Sequence, residues 1–342
     1  MKRKSVIALA LAAALSLSLF GCGNNASNPT GAPASQPPAN TEQASQPALT
    51  DAKISIVSAA SGGAWYSIGG ALAELFKTEI PGAVTECGPG GGISNIFTVS
   101  SGEAQLGFGF PNDVVDAENG AGSFEGNQIT NIRGVTALYP GILHIAVAAD
   151  SNITTVEDLK GKVLCTQTKG NSAEQAMNIV LQAYGMTYDD MSTVNYVGFT
   201  DAVDLVKDGH ADAIAYMSTY PYAALQDLAE SKGVKLLGLD DEHIAKVRGI
   251  NPAYEAIDIP GGAYKGTDED VKCISAKTIL FTSADVSDDL VYTMTKALYE
   301  NYDHLCTVNS SLSNMTPEYG SNTGITLHPG AEAYYKEIGA IQ

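Results

Sequence analysis

Two short stretches of this sequence are alike: GEAQ occupies residues 102–105 and GHAD occupies residues 209–212, 107 positions later (209 − 102). Each stretch follows a helix-like apolar pattern and precedes a strand-like run. Gly63 and Gly170 are separated by the same distance. Matching glycines, helices and strands at one spacing are typical of an internal repeat. The sequence therefore predicts two lobes of similar structure.

Within each predicted lobe, a strand is followed by a loop and then by a helix. In the first lobe an apolar strand at residues 54–57 precedes a helix at 68–80, whose apolar residues recur at helical spacing. In the second lobe residues 163–165 and 173–184 repeat this order. Alternation of this kind predicts an α/β fold with mostly parallel sheets. Two such lobes facing each other would enclose a ligand cleft.

Two apolar extended segments, at residues 144–149 and 277–282, are predicted to carry the chain between the lobes. On this basis lobe 1 comprises residues 51–145 together with 280–342, and lobe 2 comprises residues 146–279. Two crossover strands are what a hinge-bending binding protein requires.

The chain has 342 residues, and its charge is strongly negative because 38 Asp and Glu oppose 19 Lys and Arg, which gives a net charge of −19. Its only arginines are at positions 3, 133 and 248. Such a sequence has no basic stripe that could follow a phosphate backbone. The 44% of hydrophobic residues suffices for a packed core. We therefore expect a folded protein that does not bind nucleic acid.

The N-terminus has the pattern of an export signal, because basic residues precede an apolar run from Val6 to Phe20. The tetrapeptide LFGC that ends at Cys22 resembles the bacterial lipobox, whose cysteine is lipidated. An ordinary signal peptide with a chance cysteine is the alternative. We expect a signal peptide at residues 1–21, a lipidated Cys22, and a flexible Pro/Ser/Gln-rich tether over residues 22–50. The protein would then be extracytoplasmic and anchored to the cell membrane by lipid.

Four loops are expected at the carboxyl ends of strands, and so at the cleft: residues 61–66, 110–113, 168–172 and 218–221. In two of them a glycine precedes a helix, where free N–H groups and the helix dipole favour an anion; a simple tight turn is the alternative. Trp65, the only tryptophan, either stacks on a ligand or covers the lobe interface. The small residues around it favour the first interpretation.

The sequence shows no motif of an enzyme or of a metal site. It contains no Gly-x-Ser-x-Gly elbow, and the glycine-rich run at residues 88–92 lacks the Lys-Ser/Thr of a phosphate-binding loop. Its cysteines and histidines have no metal-ligand spacing. A Cys273–Cys306 disulfide and free buried thiols are both compatible with the sequence. His144 is expected to be structural. We predict a binding protein without catalytic activity, cofactor or metal.

Several motifs together resemble the TAXI-type solute receptors of tripartite ATP-independent periplasmic (TRAP) transporters. They are GGAWYSIGGAL at 62–72, SGEAQL at 101–106, ALYP at 137–140, VEDLKGK at 156–162, GGAYKG at 261–266 and LHPGA at 327–331. The resemblance extends over about residues 53–336. It implies a type II-like periplasmic-binding-protein fold with a ligand cleft between two lobes.

The resemblance implies a receptor that captures a small organic acid or amino acid, often glutamate or a related dicarboxylate. The receptor would deliver this ligand to TRAP membrane permease subunits that are driven by an ion gradient. Carried over position by position, the resemblance implies ten ligand-binding residues: Gly63, Trp65, Tyr66, Ser94, Asn95, Tyr139, Gly170, Asn171, Ser172 and Tyr220. A ligand sensor partnered with a membrane kinase, and the receptor of an ATP-driven importer, are alternatives with the same fold.

The sequence departs from the family pattern in two places. Phe110-Pro111-Asn112 stands where the family usually has Gln-Ser/Ala-Asp, and residues 169–173 stand where it usually has Gly-Ser-Gly-Thr. Asn112 is therefore expected to be a ligand contact that lacks the usual negative charge, while Phe110 adds bulk. For this reason the usual ligand class is not transferred directly to this chain.

Overall fold

The computed structural model describes residues 52–59 and 63–342. The predicted signal peptide, Cys22 and the tether lie outside the described residues. Within the described ranges ten strands are formed: β1 (Lys53–Val57), β2 (Val84–Gly88), β3 (Leu106–Gly109), β4 (Ile132–Ala148), β5 (Val163–Thr166), β6 (Thr193–Tyr196), β7 (Ala213–Ser218), β8 (Val234–Leu236), β9 (Glu255–Ile259) and β10 (Val271–Ser283).

The α-helices of the described residues cover both faces of these strands. They are α1 (Ala64–Glu79), α2 (Gly92–Ser100), α3 (Pro111–Asn119), α4 (Ser172–Ala183), α5 (Phe199–Lys207), α6 (Ala223–Lys232), α7 (Asp241–Ile250), α8 (Asp288–Glu300), α9 (Tyr302–Val308), α10 (Pro317–Ser321) and α11 (Pro329–Glu337).

The strands follow the order β2-β1-β3-β10-β4-β7-β5-β6, and β8 and β9 pair with β4 and β10. The first three strands form lobe 1 and the last three form lobe 2, and within each set all pairs are parallel. The long strands β4 and β10 run antiparallel to each other and to their lobe neighbours. The α/β two-lobed fold is thus confirmed, but the sheet is mixed, because each long strand enters one lobe against the direction of its parallel set.

The two long strands are the crossovers between the lobes. Strand β4 pairs with β10 up to Ile142 and with β7 from Ile142 to Val147. Strand β10 pairs with β9 over residues 271–275 and with β3 over residues 279–281. The partner of β4 therefore changes at Ile142, just before the segment predicted at residues 144–149.

The internal repeat is confirmed in the backbone. Helices α2 and α5 begin 107 residues apart (199 − 92), and each is followed by a glycine with positive φ, Gly102 (79°) and Gly209 (74°). The residue three positions after each glycine ties the helix end to the first strand of its lobe: the Ser55 N–H donates to Gln105 Oε1 (2.9 Å), and the Val163 N–H donates to an Asp212 carboxylate oxygen (2.8 Å).

The pairing of Gly63 with Gly170 is wrong by one residue. Gly63 is the N-cap of α1, whereas the N-cap of α4 is Asn171. Gly170 instead has φ 76°, a conformation that favours glycine because it has no Cβ. The offset between the lobes is therefore 108 at the first helix (171 − 63) and 107 at the second.

Apolar clusters fill each lobe, and the thiols within the described residues are free. Cys165 and Cys273 are buried and Cys87 and Cys306 are partly buried, with no disulfide between them. Of the two alternatives, the structure therefore shows free thiols and not a Cys273–Cys306 disulfide.

Candidate ligand-binding site

A cavity of about 360 Å³ lies between the lobes, where β4 and β10 cross. Both lobes contribute aromatic and small polar side chains to its lining, and no described lining residue is Lys, Arg, Asp or Glu. Of the residues expected to bind ligand, five line it: Gly63, Trp65, Tyr66, Tyr139 and Asn171. Ser218 lies in the loop predicted at the cleft, whereas lining residues that the sequence did not single out include Gln167, Phe199, Met217, Tyr222 and Thr278.

Two buried hydroxyl groups form the floor of this cavity. Tyr139 on β4 and Thr278 on β10 are direct cross-strand partners, and they are 2% and 1% exposed. Among the described residues neither Tyr139 Oη nor Thr278 Oγ1 has a hydrogen-bond partner. Burial raises the pKa of the Tyr139 phenol, so the group stays a neutral donor. Because buried polar groups are normally paired, the two hydroxyls are suited to bond a polar atom of a ligand.

Trp65 forms the wall on the side of lobe 1. Its ring stacks on Phe108 with centroids 5.8 Å apart and lies against Phe110 at 5.2 Å. Trp65 also packs against the apolar clusters of both lobes. The next residue, Tyr66, lines the cavity while remaining 41% exposed. Aromatic surfaces of this kind suit a ligand with an apolar or planar part.

Two helices from opposite lobes begin at the cavity without a side-chain cap. Helix α1 has Gly63 as its N-cap and helix α6 has Tyr222, and neither first turn contains an acidic residue. The first N–H groups of a helix lack partners within the helix, and the dipole makes this end positive. In contrast, Asn171 caps its own helix by accepting the Ala173 N–H at 3.1 Å. The two uncapped ends favour a negatively charged group in an otherwise neutral cavity.

The start of α6 is held in place by His144. The Nδ1 atom of His144 lies 3.0 Å from the Ile142 carbonyl oxygen, which only accepts, so Nδ1 carries the hydrogen. The Tyr264 hydroxyl therefore donates to His144 Nε2 (2.9 Å) and accepts the Tyr222 N–H (2.9 Å). Burial lowers the pKa of His144 to about 4, so the ring is neutral. The prediction of a structural role for His144 is confirmed.

Six expected residues are not among the described lining residues: Ser94, Asn95, Asn112, Gly170, Ser172 and Tyr220. The Asn95 amide joins the loop after β1 to strand β3, because its Nδ2 donates to the carbonyl oxygens of Ser58 (2.7 Å) and Phe108 (2.8 Å). The Ser94 hydroxyl donates to the Gly91 carbonyl oxygen at 2.8 Å. Both side chains hold the entrance of α2, and ligand binding by either stays a prediction.

The remaining residues of this group lie beside the cavity. The Gly170 N–H donates to Glu174 Oε2 at 3.2 Å, within the same loop and helix. Tyr220 is 38% exposed and lies between the lining residues Thr219 and Pro221. Ligand binding by Tyr220 therefore also stays a prediction.

Asn112 lies outside the cavity lining, in the contact between the lobes. Its Nδ2 donates to the Tyr254 hydroxyl (3.2 Å) and to Asp113 Oδ1 (2.9 Å). The next residue, Asp113, places a buried carboxyl group in the same segment, and ligand binding by Asn112 stays a prediction. The Ser172 hydroxyl donates a short hydrogen bond to that carboxyl group.

The residues missed at the sequence level belong mainly to lobe 2 and to β10. Thr278 lies in a strand-like run whose face toward the cavity depends on pairing with β4. A signal was available for Phe199, because it begins α5 at the position that corresponds to Gly92 at the start of α2. Applying the repeat to the loops as well as to the helix ends would have placed Phe199 at the cleft.

The described residues contain neither a cluster of metal ligands nor a helix suited to cross a membrane. No group of three or more His, Cys, Asp or Glu side chains in this part of the chain is arranged to hold a metal ion. Within the same residues no helix has the length and apolarity that a membrane span requires.

The paired lobes, the two crossover strands and the cavity between them define a solute-binding protein fold of the periplasmic type. Residues 56–339 match the model of the NMT1-like family, and the chain belongs to that family. This match covers most of the described residues.

Several solved structures are similar to this chain at low sequence identity. A protein from Xanthomonas citri solved with bound ATP is 9% identical, with a TM-score of 0.50 and coverage of 84% of this chain and 96% of that chain. A TctC solute-binding protein from Polaromonas is 16% identical, with a TM-score of 0.48 and coverage of 84% and 98%. The periplasmic aliphatic sulphonate-binding protein SsuA from Escherichia coli is 16% identical, with a TM-score of 0.44 and coverage of 83% and 78%.

Proposed function

We propose that this protein is an extracytoplasmic receptor that captures a small organic acid or amino acid and delivers it to the membrane permease subunits of a TRAP-type transporter. The observation that carries the proposal is that the buried hydroxyls of Tyr139 and Thr278, at the floor of the interlobe cavity, have no hydrogen-bond partner among the described residues. Family membership and the two-lobed fold are consistent with it.

In this proposal the ligand is bound by three kinds of contact. Its acid group lies at the uncapped start of α1 or α6, where the helix dipoles are favourable. A second polar atom accepts hydrogen bonds from Tyr139 and Thr278. The remainder of the ligand packs against Trp65 and Phe199. A glutamate-like or dicarboxylate-like compound is the starting candidate, with a planar or apolar acid as the next.

The proposal extends to features that lie outside the described residues or that depend on the ligand. Lipidation of Cys22 would hold the receptor at the cell membrane beside the permease, and residues 22–50 would act as the tether. Lobe boundaries at residues 145/146 and 279/280 belong to the same proposal. A receptor of this kind returns its ligand chemically unchanged.

Titration of the refolded protein tests the proposal. Unfolding and refolding would remove any ligand carried through purification. A panel of dicarboxylates, 2-oxoacids and amino acids would then be titrated while Trp65 fluorescence and heat are followed. Saturable binding of one acid at micromolar concentration, with the acid recovered intact by mass spectrometry, is the expected result. Recovery of a converted product would contradict the receptor assignment, and silence of the whole panel in both readouts would contradict the ligand class.

Uptake by a membrane carrying the permease tests the transport partner. Vesicles containing TRAP permease subunits should accumulate the bound acid only when the receptor and an ion gradient are both present. Accumulation that requires ATP instead of the gradient would assign the receptor to an ATP-driven importer.

A further inference from the structure

Helix α3 contacts both lobes. Val114 and Ala117 pack into the apolar cluster of lobe 1, which also contains Phe281. Three other side chains of the helix reach lobe 2: Asn112, Asp113 and Asp116. Polar contacts between lobes are a natural means of setting how far a two-lobed protein closes.

The central contact joins Asp113 to helix α4. Asp113 is 2% exposed, and it accepts the short hydrogen bond from the Ser172 hydroxyl at the start of α4. Helix α2 approaches at the same point through its first residue, Gly92. The approach is close, because a Cβ added to Gly92 would lie 2.1 Å from Ser172 Oγ and 3.0 Å from Asp113 Oδ2. The starts of α2 and α4, one from each lobe, therefore meet around one buried carboxyl group.

Two flanking contacts lie beside this carboxyl group. The Asn112 Nδ2 atom donates to the Tyr254 hydroxyl at 3.2 Å. The Asn251 Nδ2 atom donates to Asp116 Oδ1 at 3.2 Å and to the Asn112 carbonyl oxygen at 3.4 Å. Asn251 and Tyr254 precede β9, so both belong to lobe 2. The three polar side chains of α3 thus make a continuous hydrogen-bonded contact with the opposite lobe.

We propose that Asn112, Asp113 and Asp116 are positioning residues that form an interlobe latch, and that acid favours the closed latch because closure buries the Asp113 carboxyl group. The latch would act on uptake only if the proposed receptor function holds. Closure itself can be measured without a ligand.

The electrostatics of the contact agree with this proposal. Burial raises the pKa of Asp113 to about 7, against the opposing hydrogen bond from Ser172, and Asp116 adds to the increase. The titratable groups that face Asp113 are Asp116 on α3 and Tyr254 before β9, and burial raises the pKa of each. Helices α2 and α4 approach this point with Gly92 and Ser172, neither of which is titratable. Among the described residues, no positively charged side chain is therefore found beside Asp113 to stabilise its ionised form.

The direction of the pH dependence follows from these surroundings. In an open form, water would return the pKa of Asp113 toward its ordinary value of about 4. Between about pH 4 and pH 7 the closed form keeps a proton that the open form releases. The ratio of closed to open protein should therefore fall by up to about tenfold for each pH unit of increase in this range, and become constant above it.

Trp65 provides a readout of closure, because it is the only tryptophan and it packs against the clusters of both lobes. Acrylamide quenching of the full chain would be measured between pH 4.5 and 8.5 without ligand. Amide exchange of α3 and of residues 251–254 would be followed in parallel, corrected for the intrinsic effect of pH. In the native protein we expect quenching and exchange to increase with pH and to level off above pH 7.

Three variants separate the latch from other effects of pH. Asp113→Asn cannot ionise, so its quenching should be low and independent of pH. Ser172→Ala removes the donor and should raise quenching throughout while leaving α4 intact. Glu118→Gln is the matched control, because it removes one negative charge from the same helix; it should keep the native profile.

A native profile that is flat with pH, or a Ser172→Ala profile that matches the native one, would overturn the latch. If Asp113→Asn does not fold, the Ser172→Ala comparison decides alone. A different result would contradict the receptor function: the latch would close at low pH, but the protein would bind none of the organic acids and amino acids in the panel.

Discussion

Replacing Tyr139 by Phe should have opposite effects on binding and on stability. In the ligand-free protein the Tyr139 hydroxyl is buried, and it has no hydrogen-bond partner among the described residues. An unpaired buried hydroxyl costs about 1–3 kcal/mol, because it has lost water without gaining a partner. The Tyr139→Phe substitution removes this group and leaves the ring. We therefore expect the free energy of unfolding without ligand to rise by about 1 kcal/mol.

The effect on affinity should have the opposite sign. If Tyr139 Oη donates to the ligand, its loss removes one neutral hydrogen bond worth about 1 kcal/mol. This corresponds to roughly a fivefold increase in the dissociation constant. Thr278→Val removes the neighbouring hydroxyl with little change in shape, and the same pair of effects is expected for it.

Urea unfolding and calorimetric titration measure the two quantities, and the chain offers a matched control for each residue. Tyr216 is also buried, but its hydroxyl donates to the Val197 carbonyl oxygen at 2.8 Å. Tyr216→Phe should therefore lower the free energy of unfolding by about 1 kcal/mol. On β10 itself, the Thr282 hydroxyl donates to the Gln105 carbonyl oxygen at 2.7 Å, so Thr282→Val should also destabilise.

Two outcomes would refute the reasoning. A loss of stability in Tyr139→Phe equal to that in Tyr216→Phe would show that the Tyr139 hydroxyl is bonded in the ligand-free protein. A gain in stability without any change in affinity would confirm the unpaired hydroxyl and remove it from the ligand contacts.

Three further changes give separate tests. Trp65→Phe should retain the fold and weaken ligand binding, because the smaller ring loses apolar contact; equal affinity in calorimetry would remove Trp65 from the site. Gly92→Ala should destabilise by about 1–3 kcal/mol, because the new Cβ would lie 2.1 Å from Ser172 Oγ. Gly70→Ala should instead stabilise by about 0.5–1 kcal/mol, because Gly70 lies in a helix and its new Cβ would have no atom within 4 Å. Urea midpoints of the two variants that move in the same direction would contradict this. Burial lowers the pKa of His144 to about 4, so the unfolded chain binds a proton between about pH 6.5 and pH 4 that the folded protein excludes. The free energy of unfolding should therefore lose up to about 1.4 kcal/mol per pH unit of acidification, and His144→Gln should remove this contribution; an identical slope in both proteins would assign it elsewhere.

The repeat could be read from the sequence because it consists of local structure. A glycine at the end of a short helix adopts positive φ, and the polar residue three positions later bonds the first strand; both features recur at Gly102 with Gln105 and at Gly209 with Asp212. Each depends on residue type and on spacing within one lobe. Two α/β lobes followed from this pattern, whereas Trp65 was placed at the cleft by its loop and Tyr139 by the family resemblance.

The partners across the cleft were decided only by the tertiary structure. Thr278 became a cavity residue because β10 pairs with β4 and sets it opposite Tyr139. Asp113 became a buried carboxyl group because Ser172, 59 residues away in the chain, closes over it from the other lobe. The one-residue shift between Gly63 and Asn171 likewise appeared only in the helix caps. Local sequence determines which residues form a strand or end a helix. Strand register and the contacts between lobes depend instead on the packing of distant segments, and this packing sets the environment of each polar group.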